Sequence, residues 1–304
     1  MLSFRATLPD HRPFTLRTIR VPSLAAGLAA LCLGSCVDQP ATTCVTTTAG
    51  FAVKLLESAR VESVPGACST FGPDAFNADP EVGISPYYLR GSNGQPDYER
   101  GSIAIQTAEL GSLVYTAEGF SVPNGTGGQL YSRGDFSASR PDDDNFCSVP
   151  TLSNTRVVLP ALDPVMDDPA TEDVDESFPG QAAVDATLAW SNFRVYITAD
   201  IFGTQMEADL TDTRVTPTGD SCTISYRALG IAPAVSCWAL DPESGDPLSN
   251  ADGTPQLDPG LCDPDANPDE GRFYGSGLSP SARFSCDPVT AFCLVDGDTI
   301  PALR

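Results

Sequence analysis

The chain has 304 residues and a formal net charge of −23, with 40 Asp and Glu against 17 Lys and Arg. A phosphate backbone is met by clustered basic residues, so this acidic excess excludes nucleic-acid partners and disfavours attraction to anionic lipid. A hydrophobic content of 41% points to a folded core rather than a disordered chain.

Residues 1–20 carry Arg5, Arg12, Arg17 and Arg20 against one acid, Asp10. Val21–Leu33 is then apolar and uncharged, and too short for a bilayer span, which takes about 20 residues. A basic segment followed by a short apolar one is the pattern of a secretory signal peptide. Leu33, Gly34, Ser35 and Cys36 follow, and this stretch resembles the lipobox of bacterial lipoproteins. The resemblance implies cleavage after residue 35 and a lipid on Cys36, which anchors the chain to a membrane of the cell envelope. An Asp directly after the lipidated cysteine retains some lipoproteins in the inner membrane. Here Asp38 stands one place later, which points to the outer membrane.

Residues 36–50, with a Thr-rich polar stretch, read as a tether. Residues 51–240 read as a β-sandwich domain. Its predicted runs begin with Phe51–Leu56, Ser102–Thr107, Ser112–Thr116, Gln129–Phe136 and Arg156–Leu159. Period-2 alternation is clearest further on. Val184, Ala186, Leu188 and Trp190 share one face, as do Phe193, Val195 and Ile197, and then Met206, Ala208 and Leu210. Asn93-Gly94, Asn124-Gly125, Asp252-Gly253 and Asp296-Gly297 supply tight-turn pairs. Short strands with regular turn signals and no long helical pattern predict an all-β fold, an antiparallel sandwich rather than a barrel. Asp163–Pro179 reads as an acidic exposed loop. Residues 241–304 read as an irregular, acidic, cysteine-bearing extension packed on the sandwich.

Eight cysteines lie beyond Cys36: Cys44, Cys68, Cys147, Cys222, Cys237, Cys262, Cys286 and Cys293. In an exported chain an even number predicts disulfides. Local arguments pair Cys222 with Cys237 across a hairpin turning near Leu229-Gly230, Cys286 with Cys293 around a short loop, and Cys44 with Cys68. A rival pairing takes Cys147 to Cys222. Zinc is disfavoured, because no C-x₂-C pair is present and the one histidine, His11, falls in the leader.

The same histidine count excludes Ser-His-Asp and Cys-His catalysis in the mature chain. Lys54, the one lysine, reads as an outward strand residue rather than half of a Ser-Lys dyad. Asp263, Asp265, Asn267 and Asp269 place oxygen ligands at alternate positions, the start of a calcium loop. Pro268 stands where such a loop turns on Gly, and Tyr274 where it ends on an acid, so an exposed acidic loop is the plainer reading. Asp142–Asn145 is a second such run, read as a turn. Tyr87 and Tyr88 with Arg90, and Tyr98 nearby, offer aromatic faces to a sugar or peptide, against tyrosines merely packed on a sheet edge. The expected function is a non-catalytic structural or binding module, lipid-anchored through Cys36, whose partner is an envelope protein or glycan, with no cofactor. The alternatives are a calcium-dependent adhesion or carbohydrate-binding module and, third, a glycoside hydrolase working with two carboxylates.

Overall fold

A computed structural model describes residues 42–71, 81–112, 129–163, 180, 182–199, 201–280 and 282–303, all within one compact unit, Thr42–Arg304. The leader, Cys36, Leu113–Thr116, Asn124-Gly125 and nearly all of the Asp163–Pro179 loop lie outside the described residues.

The fold is all-β and antiparallel. Its strands are β1 (Ala49–Glu62), β2 (Glu81–Arg90), β3 (Pro96–Thr107), β4 (Ser132–Asp135), β5 (Phe146–Thr151), β6 (Thr155–Leu159), β7 (Val184–Ile197), β8 (Phe202–Val215) and β9 (Ser221–Ile231). They make one nine-stranded sheet in the order β4-β3-β2-β1-β9-β8-β7-β5, with β6 also paired to β7. The sheet curls until its ends meet, as a nearly closed barrel. Ser137 N donates to Ser148 O across the join, and the hydroxyls of Ser132 and Thr155 bond at 2.9 Å. At this join Gly134 lies so close to β5 that a Cβ would stand 2.5 Å from Thr151 O.

Alternating residues of every strand fill the interior: Phe51 and Val53, Val82 and Ile84, Ile103 and Ile105, Leu188 and Trp190, Met206 and Leu210, Ile224 and Tyr226. Burial of such side chains stabilises the fold by about 1.5–3 kcal/mol each. A helical turn over residues 108–112 adds Leu110, fully buried, to this core. The predicted alternation of Met206, Ala208 and Leu210 against Gln205, Glu207 and Asp209 holds along β8, with the first set in the core. β7 is one strand rather than two. Its phase slips between Trp190 and Phe193 through a bulge, with Asn192 in the left-handed region at φ 50°.

The predicted hairpin at Leu229-Gly230 does not form. β9 runs unbroken through both residues, because Met206 of β8 packs against Gly230, where a Cβ would meet its Cε at 2.6 Å. The glycine makes room for a neighbour instead of turning the chain. Cys222 and Cys237 are thereby separated by the length of a strand. The disulfides are Cys44–Cys147, Cys68–Cys222, Cys237–Cys286 and Cys262–Cys293. All eight cysteines pair as expected, but every locally argued pair is wrong, as is the Cys147–Cys222 rival. Cys286 and Cys293 do face each other, in the two-stranded sheet of β10 (Phe284–Cys286) and β11 (Cys293–Val295). Each nevertheless bonds to a cysteine outside that hairpin.

After β9 the chain packs over the outer face of the sheet. Leu229, Ile231 and Phe146 from the barrel join Cys237, Cys262, Leu278, Val295 and Ile300 in a second apolar cluster. Polar contacts fix the same seam. Lys54 Nζ donates to Gly297 O at 2.9 Å, and Ala302 N to Gln205 Oε1 at 2.9 Å.

Candidate functional site

Among the described residues, the outer face of β5, β7, β8 and β9 stays open beside this covering segment. In register across it lie Ser148, Arg194 and Glu207, with Asp209 and Arg227 one pair along. Glu207 is 8% exposed and sits between two arginines. Arg194 donates through Nε and Nη2 to Glu207 Oε1, and Arg227 Nη2 donates to Oε2 at 2.9 Å. The Arg194 guanidinium stands 4.4 Å from the ring centroid of Phe146, which Tyr196 meets edge-on. The β7 bulge turns Asn192 toward β8, where its amide donates to Asp209 Oδ2 at 2.7 Å. Asn192, Arg194, Glu207, Asp209 and Arg227 line a hollow of about 360 Å³ with Ser148, Pro150, Phe193 and Ala208. Two cations, two anions, an amide and a hydroxyl around one hollow suit the binding of a small polar ligand.

A second charged group is internal. Asp212 and Arg214 continue the inward phase of β8, and Glu109 reaches them from the helical turn at 108–112. Arg214 donates to both Glu109 oxygens, at 2.9 and 3.0 Å, and to Asp212 Oδ2 at 3.1 Å. Burial pushes the Asp212 carboxyl up to about 6 against the pull of Arg214, and Glu109 adds to the rise. Among the described residues one cation, Arg214, faces the two carboxylates. Tyr226, nearby, is pushed up to about 12 by burial and then by the charge of Asp212. Asp212 and Arg214 are almost wholly enclosed, with side-chain exposures of 6% and 8%, so the group reads as an internal ion cluster.

The residues singled out from sequence are placed differently. Tyr87 and Tyr88 are neighbours on β2 and point to opposite faces. Tyr87 is exposed, whereas Tyr88 packs edge-on against Tyr98 at 5.0 Å and donates its hydroxyl to Cys44 O at 3.0 Å. Burial raises the Tyr88 phenol to about 12. Arg90 is exposed at the end of the strand, so the three do not share one surface.

Asp263 is held by Arg272 at 3.2 Å, Asn267 exchanges backbone bonds with Arg272, and Asp265 and Asp269 are exposed. Among the described residues, the one group of three His, Cys, Asp or Glu with ligand atoms within 4.8 Å of one another is Cys237, Cys262 and Cys293, each already in a disulfide. Asp142 forms a turn, accepting from the amides of Asp144 and Phe146 at 3.0 and 2.8 Å.

No motif in the sequence singles out Arg194, Glu207, Arg227 or Asp212. The slip of apolar phase between Trp190 and Phe193 is the available signal for the bulge that shapes the hollow.

A protein-family model, MlpA, matches residues 60–233. No curated protein and no solved structure matches the chain. The matched stretch holds every lining residue of the hollow and the Arg214 cluster. It ends at Pro233, where β9 gives way to the covering segment.

Proposed function

The chain belongs to the MlpA family, and we propose that it is a lipid-anchored binding module of the cell envelope, exported and held by a lipid on Cys36. The observation that supports this most is the pairing of a basic, then apolar leader ending in Leu33-Gly34-Ser35-Cys36 with a folded unit whose eight cysteines all form disulfides. Such complete pairing suits an oxidising compartment. Binding rather than catalysis is favoured by the hollow over Glu207, which gathers donors and acceptors without a nucleophile paired to a base. The partner is an envelope protein or glycan, and the outer membrane is the proposed location. Calcium-dependent adhesion draws less support, since Arg272 already neutralises Asp263. A glycoside hydrolase draws less as well, since both Glu207 oxygens are held by arginines and the raised carboxyl, Asp212, is enclosed.

The test is metabolic labelling with palmitate in the native host, followed by membrane fractionation. The wild-type chain should take up label and sediment with membranes, and Cys36→Ser should do neither. An unlabelled wild-type chain overturns the anchor.

A further inference from the structure

We propose that the hollow over Arg194, Glu207 and Arg227 binds a small ligand bearing a carboxylate with hydrogen-bond donors on neighbouring atoms. This deepens, and rests on, the reading of the protein as a binding module.

Each guanidinium carries five N–H donors in a planar fork. Arg194 directs Nε and Nη2 to Glu207, and Arg227 directs Nη2 there. Neither guanidinium has a further hydrogen-bond partner among the described residues, and both line the hollow, with side chains 36% and 41% exposed. Glu207 therefore acts as a clamp. It fixes two arginines side by side and leaves donors on both for an incoming carboxylate, which such forks bind in a bidentate manner. Phe146 behind Arg194 holds that guanidinium at a fixed place.

The rest of the hollow calls for donors. Asp209 accepts the Asn192 amide at Oδ2, and its other oxygen has no partner among the described residues. Asn192 holds its place at φ 50° in the β7 bulge, a left-handed conformation that asparagine adopts readily, and bulges re-aim side chains. A carboxylate on the arginines and donors toward Asp209 thus fit one small molecule. A long polyanion does not, because the net charge of −23 repels it. Hydroxyls of an acidic sugar and the ammonium of an amino acid both supply such donors.

Calorimetric titration of the purified, oxidised protein decides the matter, using glucuronate, alanine, acetate and glucose as probes. Glucuronate or alanine should bind saturably, with weakening as salt is raised, and whichever binds tighter identifies the source of the donors. Acetate lacks the donors and glucose the carboxylate, so both should bind at least about tenfold more weakly, as expected for a lost charged hydrogen bond. Arg194→Gln and Arg227→Gln should each weaken binding about tenfold or more while still melting in one cooperative transition, and Arg156→Gln on β6 should leave binding unchanged. Binding of neither glucuronate nor alanine, equal binding of acetate or glucose, or unchanged affinity in both arginine variants overturns the proposal. Palmitate labelling of Cys36 is read independently, so failure here leaves the anchored-module reading standing.

Discussion

Asp212 and Glu207 lie five positions apart on β8 and face opposite sides of the sheet, yet both are carboxylates removed from water. Glu207 has a cation for each oxygen. Asp212 shares one cation with Glu109, and burial raises it to about 6. A carboxyl whose folded pKa lies above its unfolded value of 3.8 stabilises the fold in its protonated form. That contribution is complete below about pH 4 and is lost as pH rises through about 6. Urea unfolding of the wild type between pH 4 and 7, set against Asp212→Asn, should therefore show a wild-type advantage that shrinks with pH by about 1–3 kcal/mol. A constant difference between the two would mean that Asp212 stays ionised. None of this is legible to a reading that follows apolar residues. The inward phase of Met206, Ala208 and Leu210 continues into Asp212 and Arg214, where the residue type no longer announces the face.

Among the elements, β7, β9 and β4 carry the structural choices. The slip at Ser191–Arg194 in β7 is visible in sequence as an even set of apolar residues followed by an odd one. It reads as two strands because either a turn or a bulge produces that pattern. β9 misleads through Gly230, which follows an apolar run as a turn glycine would. Its role, room for Met206, depends on a strand that arrives from elsewhere in the chain. β4 closes the barrel on the glycine of its Arg133-Gly134-Asp135 run. Gly134→Ala should press a methyl onto Thr151 O and the Val149 side chain, both 2.5 Å from the Cβ position. The expected loss is about 1–3 kcal/mol in denaturant unfolding. A neutral result would show that β4 can move away from β5 without cost.

At the scale of the whole molecule, two disulfides brace the barrel and two brace the segment that covers it, and none joins the one to the other. Apolar packing around Leu229, Ile231 and Phe146 and the bonds at Lys54 and Gln205 hold the two together. Replacing Cys262 and Cys293 together by Ala should destabilise the covering segment by about 3–4 kcal/mol, from the sequence separation of 31 that they close. Hydrogen exchange should then quicken at residues 237–303 while the amides of β7 and β8 keep their protection. Uniform quickening would show one cooperative unit.

The sequence by itself determined the all-β class, most strand positions, the turns at Gly94, Gly253 and Gly297, and the use of all eight cysteines in disulfides. Each of these follows from local periodicity, positive-φ preference or composition, which neighbours along the chain decide. Only the tertiary structure decided the disulfide partners, the closure of one sheet into a barrel and the meeting of Arg194, Glu207 and Arg227. Those depend on strand order and register, and contacts across the sheet are set by which strands arrive side by side rather than by separation along the chain.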